Sequence, residues 1–131
     1  MAAAESYPDD LRYHRDHDWA RLEGDEAVLG ITWFAQDALG ELVHFEAPEV
    51  GAAIAAGESY GEVESVKAVS DVIAPLSGEV LEVNARAIDA PELVNDDPYG
   101  EGWLVRVRLT NPAEAQSLLD AAAYKAVVAE Q

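Results

Sequence analysis

The chain has 131 residues, half of them hydrophobic, with 26 Asp and Glu against 8 Lys and Arg and a formal net charge of −18. That is enough apolar material for one domain with a modest core, and the acid excess repels phosphate backbones and anionic lipid, setting aside nucleic acid and membrane surfaces as partners. There is no cysteine, which excludes disulfides, thiol nucleophiles, Cys-bound zinc and iron–sulfur clusters, so any redox chemistry must come from an added group.

The longest apolar runs, such as residues 52–56, are far too short to cross a bilayer. The start, Met-Ala-Ala-Ala-Glu-Ser, has neither a basic region nor an apolar stretch of signal-peptide length. The expectation is a bacterial cytoplasmic protein, or a mitochondrial one only if a transit peptide has been removed. The acidic surface has two explanations: solubility in a salty cytoplasm, or steering toward basic docking faces on partners.

Residues 1–131 read as a single domain, with residues 1–18 a polar, loose arm. Strand signals run over Trp19–Leu22 and Ala27–Ile31, joined by a turn at Glu23-Gly24-Asp25. Thr32 is a good N-cap for a short helix over Trp33–Leu39, and Gly40 is placed to end it. Further strands are expected at Leu42–Phe45, Ser59–Glu64, Val69–Ala74 and Glu79–Val83. The stretch from Asn84 to Gly102, rich in Pro, Asp and Asn, reads as loop with a helical turn near Ala85–Asp89. Trp103–Leu109 alternates as a half-buried strand does. Asn111-Pro112-Ala113-Glu114 joins an N-cap, a first-turn proline and a third-position acid, predicting a helix to about Leu119. Asp120 caps a last helix, Ala121–Glu130, so residues 111–131 form C-terminal helices.

A faint echo links Gly40-Glu41-Leu42-Val43 to Gly78-Glu79-Val80-Leu81, with a hairpin between the two copies. Short, evenly spaced strands of this kind suit a mainly β fold, here a small two-sheet sandwich or barrel. Several features carry no site of their own. His14 and His17 with Asp16 and Asp18 could be sketched as a metal site, but they lack further ligands, so a polar arm is the simpler reading. Asn95-Asp96-Asp97 lacks the spacing of a calcium loop. The three tryptophans, Trp19, Trp33 and Trp103, serve as core and interface bulk.

The chain has two lysines. Lys125 sits on the last helix, where a solvated cation needs no special account. Lys67 lies between two strand-like runs, in Glu62-Val63-Glu64-Ser65-Val66-Lys67-Ala68-Val69-Ser70-Asp71, near the tip of a hairpin. Alone, an exposed hairpin lysine is an ordinary surface residue. Its surroundings are not ordinary: Gly57-Glu58-Ser59 leads in and Ala74-Pro75-Leu76-Ser77-Gly78-Glu79-Val80 leads out.

This arrangement resembles the swinging-arm modules that carry lipoate or biotin on one lysine. Within that group, Glu64-Ser65-Val66-Lys67-Ala68 with Ser70-Asp71 is similar to the glycine cleavage H-protein family. So are His17-Asp18-Trp19, Gly30-Ile31-Thr32, Ala35-Gln36, Leu39-Gly40, Leu93-Val94-Asn95, Pro98-Tyr99, Gly102-Trp103 and Leu118-Leu119-Asp120 with Tyr124, in order from Leu11 onward. The resemblance implies a barrel-sandwich hybrid with a lipoyl-lysine hairpin, and a carrier rather than an enzyme. Its cofactor would be lipoic acid in amide linkage to Lys67, which supplies the dithiol a Cys-free chain lacks.

In the family, a pyridoxal-phosphate glycine decarboxylase (the P-protein) releases carbon dioxide and transfers an aminomethyl group to lipoyl sulfur. An aminomethyltransferase (the T-protein) frees ammonia and passes the methylene unit to tetrahydrofolate, and dihydrolipoamide dehydrogenase reoxidises the dithiol. The resemblance implies these partners, together with a lipoate ligase or a lipoyl or octanoyl transferase, and a monomer. It makes Glu64, Ser65, Val66, Ala68 and Asp71 the setting of Lys67, and Asp18, Ile31 and Asp71 the lining of a cleft that shelters the loaded arm. Asp18 stands where relatives often carry Glu, Trp33-Phe34 replaces a more polar pair, and Ala38 takes a place sometimes held by His; these departures bear on the cleft. Four rivals remain, one of them an enzyme or purely structural domain in which Lys67 is unmodified. A biotinyl module usually flanks its lysine with methionine, a lipoyl domain of a 2-oxoacid dehydrogenase belongs to a longer chain, and an H-like relay hands lipoate to other enzymes.

Overall fold

The computed structural model describes residues 3–131. Among the described residues, nine strands form two antiparallel sheets that stay separate and do not close into a barrel. The larger contains β1 (Arg12–His14), β2 (Asp18–Glu23), β3 (Glu26–Ile31), β5 (Ala53–Ile54), β8 (Gly78–Val83) and β9 (Val105–Leu109), in the order β1-β2-β3-β9-β8-β5. The smaller is β4 (Leu42–Glu46), β6 (Ser59–Ser65) and β7 (Val69–Ile73), with β6 in the middle. The expected mainly β, two-sheet fold is what the chain adopts.

Most of the main core lies between the sheets. Alternate residues of β3 (Ala27, Leu29, Ile31) meet Phe45 of β4, Val63 of β6, Val72 of β7, and Val80 and Val107 of β8 and β9. The two copies of the internal echo put Leu42 and Val80 into this core from different sheets. Burial of this kind is the chief favourable term in folding.

A second cluster covers the other face of the large sheet. Leu11, Tyr13, Trp19, Val28, Ala121 and Tyr124 are buried together there. Trp19 pairs with Gly30 across β2 and β3, and a Cβ on Gly30 would stand 2.6 Å from the indole ring, so no side chain fits beneath it. The C-terminal helix α4 (Ala121–Ala129) closes this side, its Asp120 side chain accepting from the Ala123 N–H as expected.

Here the arm departs from expectation. Residues 12–14 pair with β2, the main chains of Tyr13 and Leu119 exchange both hydrogen bonds, and the Tyr13 ring stacks on Tyr124 at 4.7 Å. Nor is the segment before it loose: the Ala3 N–H donates to the Asn95 carbonyl, the Trp33 indole N–H to the Ala3 carbonyl and the Tyr99 hydroxyl to the Ser6 carbonyl, and Tyr7 packs edge-on against Tyr124.

Helix α1 (Trp33–Leu39) starts at Thr32, whose hydroxyl accepts from the Ala35 N–H, and ends at Gly40 with φ 85°. The predicted turn at Ala85–Asp89 is a helix, α2, capped by Asn84. The rest of the expected loop holds one more, α3 (Glu92–Asp96), and β5 was likewise not anticipated. The first C-terminal helix is a 3-10 segment, Pro112–Ser117, and Asn111 makes no side-chain cap bond. The reason lies outside the segment: Glu114 does not reach back to Asn111 but accepts from the Ser77 N–H (2.8 Å) and Ser77 hydroxyl (2.9 Å). The capping box is spent on a tertiary contact.

If the arm is integral, Tyr13→Ala should destabilise the protein by about 3–5 kcal/mol, the range for emptying a buried aromatic site. Denaturant unfolding monitored by tryptophan fluorescence checks this; a change below about 1 kcal/mol would restore the loose arm.

The lysine hairpin and its buried carboxylate

Strands β6 and β7 pair from Ser59 with Ile73 to Glu64 with Val69, leaving Val66 and Lys67 at the tip. Inward residues Tyr60, Val63 and Val72 are buried, anchoring the hairpin in the core. The tip is closed by the Ser65 N–H donating to the Ala68 carbonyl at 2.8 Å. Neither tip residue has a positive φ, so the hairpin does without the primed turn that Asn-Gly supplies. The Ser65 hydroxyl serves instead: it is buried and accepts from the Lys67 N–H (3.3 Å) and the Ala68 N–H (3.1 Å). Sequence alone marked Ser65 as a neighbour of the lysine; the structure makes it the brace of the turn.

Lys67 is exposed, as are Val66, Ala68, Glu64 and Asp71. A Cβ placed on Gly40 would lie 3.6 Å from Lys67 Cε, so the lysine stem runs back toward the end of α1. Gly40 also borders a cleft of about 410 Å3 lined by Gln36, Asp37, Glu41, Glu92, Asn95 and Asp96. The wall of this cleft is held by Asn95 of α3. Its amide donates to the Gln36 side chain and the Gly40 carbonyl, both at 2.9 Å, while its oxygen accepts from the Leu42 N–H at 2.9 Å. Nothing in the sequence but the motif Leu93-Val94-Asn95 pointed to this residue, because a five-residue helix among Pro, Asp and Asn leaves no periodic signal.

Asp18 and Ile31 lie elsewhere. They are paired across β2 and β3 and both buried, Asp18 at 2% exposure. Asp71 is on the outer face of the small sheet, where the Ser59 hydroxyl donates to it at 3.2 Å. Of the three residues expected to line the arm's cleft, the structure thus brings two together and leaves the third facing solvent. The Asp18 carboxylate accepts from the Ile73 N–H at 3.3 Å, joining the large sheet to the end of the lysine hairpin. Burial holds its acid form to pH values well above the ordinary carboxyl range, opposed by the Ile73 N–H. The phenol of Tyr60 is also pushed up, by burial first and by the charge of Asp18 second, and its hydroxyl has no hydrogen-bond partner among the described residues.

Beside Asp18, the two histidines diverge. His14 faces Asp16, whereas His17 Nδ1 meets the Tyr124 hydroxyl at 2.7 Å, which in turn meets Thr32 Oγ1 at 2.7 Å. His17 has φ 74° and packs on Phe34 at 4.6 Å, and burial lowers its pKa.

The buried carboxyl sets a pH dependence whose sign is fixed. A carboxyl with a raised folded pKa binds more protons in the folded state, so stability falls as pH rises from about the ordinary 3.8 toward the folded value. Asp18→Asn keeps an acceptor for Ile73 without the charge. The variant should match the parent near pH 4 and exceed it at pH 7.5, by about 1.4 kcal/mol for each unit separating the two states' pKa. Urea unfolding at both pH values tests this; an equal difference at the two would contradict it.

Residues 11–131 match the family model described as "Glycine cleavage H-protein". A relative from Symbiobacterium thermophilum named "Glycine cleavage system H protein" is 54% identical over 123 residues, covering 94% of this chain and 96% of its own. One of the same name from Synechococcus elongatus is 52% identical over 125 residues, covering 95% and 97%. The crystal structure of a glycine cleavage system H protein from Mycobacterium marinum superposes with a TM-score of 0.84 at 46% identity, covering 91% of this chain and 96% of that one. With a braced, solvent-facing lysine at the position the motif marks, and similarity over nearly its whole length, the chain belongs to the glycine cleavage H-protein family.

Proposed function

We propose that this chain is the lipoyl carrier of a glycine cleavage system, with lipoate in amide linkage to Lys67. On this reading it is no enzyme: it moves the aminomethyl group from the P-protein to the T-protein and is reset by dihydrolipoamide dehydrogenase. A lipoate ligase, or a lipoyl or octanoyl transferase, loads it. It works in the cytoplasm, as a monomer and as a single domain.

The observation that carries this reading is the display of Lys67. Its side chain is exposed at the end of a hairpin whose other side is anchored in the core. The residues present fit an acylated lysine, since no carboxylate pairs with Lys67 among the described residues and amide formation strands no buried partner. When bound, lipoate supplies a disulfide and dithiol that no residue of this chain can provide. The protein's part is to hold the tip rigid through Ser65 and leave the stem of Lys67 free to swing. Tethering then raises the effective concentration of the arm's reactive end at each docked enzyme. Asp18 is a second participant in the proposal, because a buried carboxylate without a cation can receive the amine of a loaded arm once the hairpin edge parts from β2.

Glycine-dependent carbon dioxide exchange with purified P-protein tests the function. Lipoylated parent should stimulate exchange and Lys67→Ala should give background only. Lipoylated parent that fails to stimulate would favour a lipoate relay, and a biotin-sized mass increment would favour a biotinyl module.

A further inference from the structure

The outer face of the small sheet is uncovered and carries both exposed valines and exposed carboxylates. A bulge between Leu42 and His44 turns two consecutive side chains, Val43 and His44, away from the core. His44 aligns with Glu64 and Glu64 with Val69, so one row runs His44–Glu64–Val69. Val43 is 49% exposed, Val69 59% and Val66, at the tip, 81%. The next row is Glu46–Glu62–Asp71, three exposed carboxylates directly opposite one another.

Like charges in register across strands destabilise a sheet. On the strands of the large sheet the glutamates have cations: Arg106 serves Glu23, Glu26 and Glu82, and Arg108 serves Glu79. Among the described residues no arginine or lysine pairs with Glu46, Glu62, Glu64 or Asp71. This face combines exposed valines with uncompensated charge, and both costs fall on the sheet that ends in Lys67.

Resting on the reading of Lys67 above, we infer that the outer face of β4, β6 and β7 is the docking surface for the enzyme that acylates Lys67. The partner surface it fits is an apolar groove, to take Val43, Val66 and Val69, with a basic rim to meet the carboxylate row. Reach selects this partner among those that visit the arm. In acylation the lysine amine attacks the carbonyl of an activated acyl donor, an acyl phosphate anhydride or a thioester. The C–N bond forms as the bond to the leaving group breaks, and the amine loses a proton to a base on the enzyme. The reacting carbonyl must therefore come within one lysine side chain of the hairpin. An interface of ordinary size, about 800 Å2 on each partner, then has to cover the adjoining rows. An enzyme acting at the far end of a loaded arm is held off by the arm's added length and is under no such constraint. Rim charges act chiefly on encounter and salt dependence, and the apolar contacts on residence.

The experiment uses full-length protein with Lys67, Ser65 and Asp71 intact. Val43→Ser/Val69→Ser and Glu46→Gln/Glu62→Gln are compared with parent as substrates of purified lipoate ligase with lipoate and ATP. Each pair should raise KM at least about fivefold with kcat within about twofold. The glutamine pair should also flatten the dependence of kcat/KM on salt. It should unfold at a higher temperature than parent, because repulsion across the sheet is relieved. Variants driven to full lipoylation with excess ligase, checked by intact mass, should support glycine–carbon dioxide exchange within about twofold of parent. Unchanged KM in both pairs overturns the inference, and so does an equal fall in acylation and exchange. A parent that takes no lipoyl group on Lys67 would instead overturn the function on which the inference rests.

Discussion

A lysine can serve several enzymes in turn only if the backbone beneath it stays put while its side chain moves. Ser65 meets that constraint here. Its hydroxyl is buried and receives two amide N–H groups from the tip, so the turn is held from inside and Lys67 is left outside. A primed turn would fix the backbone by glycine or asparagine, at the expense of the two side chains displayed there. Bracing from a flanking serine leaves both tip positions free for side chains, and this chain uses them for an exposed valine and the lysine.

The hairpin is also fastened to the rest of the molecule. Tyr60, Val63 and Val72 fill the core on its inner side, and Asp18 takes the Ile73 N–H at the end of β7. The latter contact is a buried carboxyl with one long hydrogen bond, near a phenol that has no partner among the described residues. Natural proteins keep such features where replacement by an apolar group would cost function. It ties the large sheet to the carrier hairpin through a group whose ionised form is disfavoured, so the junction is weaker than the core around it. A weak junction is suited to an element that has to admit something.

The sequence disclosed the strands that bury alternate residues: β2, β3, β6, β7, β8 and β9 all lie within a residue or two of expectation. It disclosed α1 and α4 through Thr32, Gly40 and Asp120, because a cap is a local device. What it hid depended on tertiary contacts. Strand β1 pairs with the neighbouring β2 and is held on its other edge by Leu119 and under its ring by Tyr124, both more than a hundred residues away. The segment after Asn111 is 3-10 because Glu114 is diverted to Ser77. At the site, Lys67 and its neighbours were legible as a hairpin motif, whereas the depth of Asp18 was not. A carboxylate beside a tryptophan at a strand start reads as exposed until the second sheet is laid over it.

All of this converges on one amine. Protein purified from cells that lipoylate their carriers, digested and mapped by tandem mass spectrometry, tests it most directly. The account predicts a lipoyl group on the peptide containing Lys67 and none on the peptide containing Lys125. An unmodified Lys67 in such cells, or an adduct on Lys125 in its place, would contradict it.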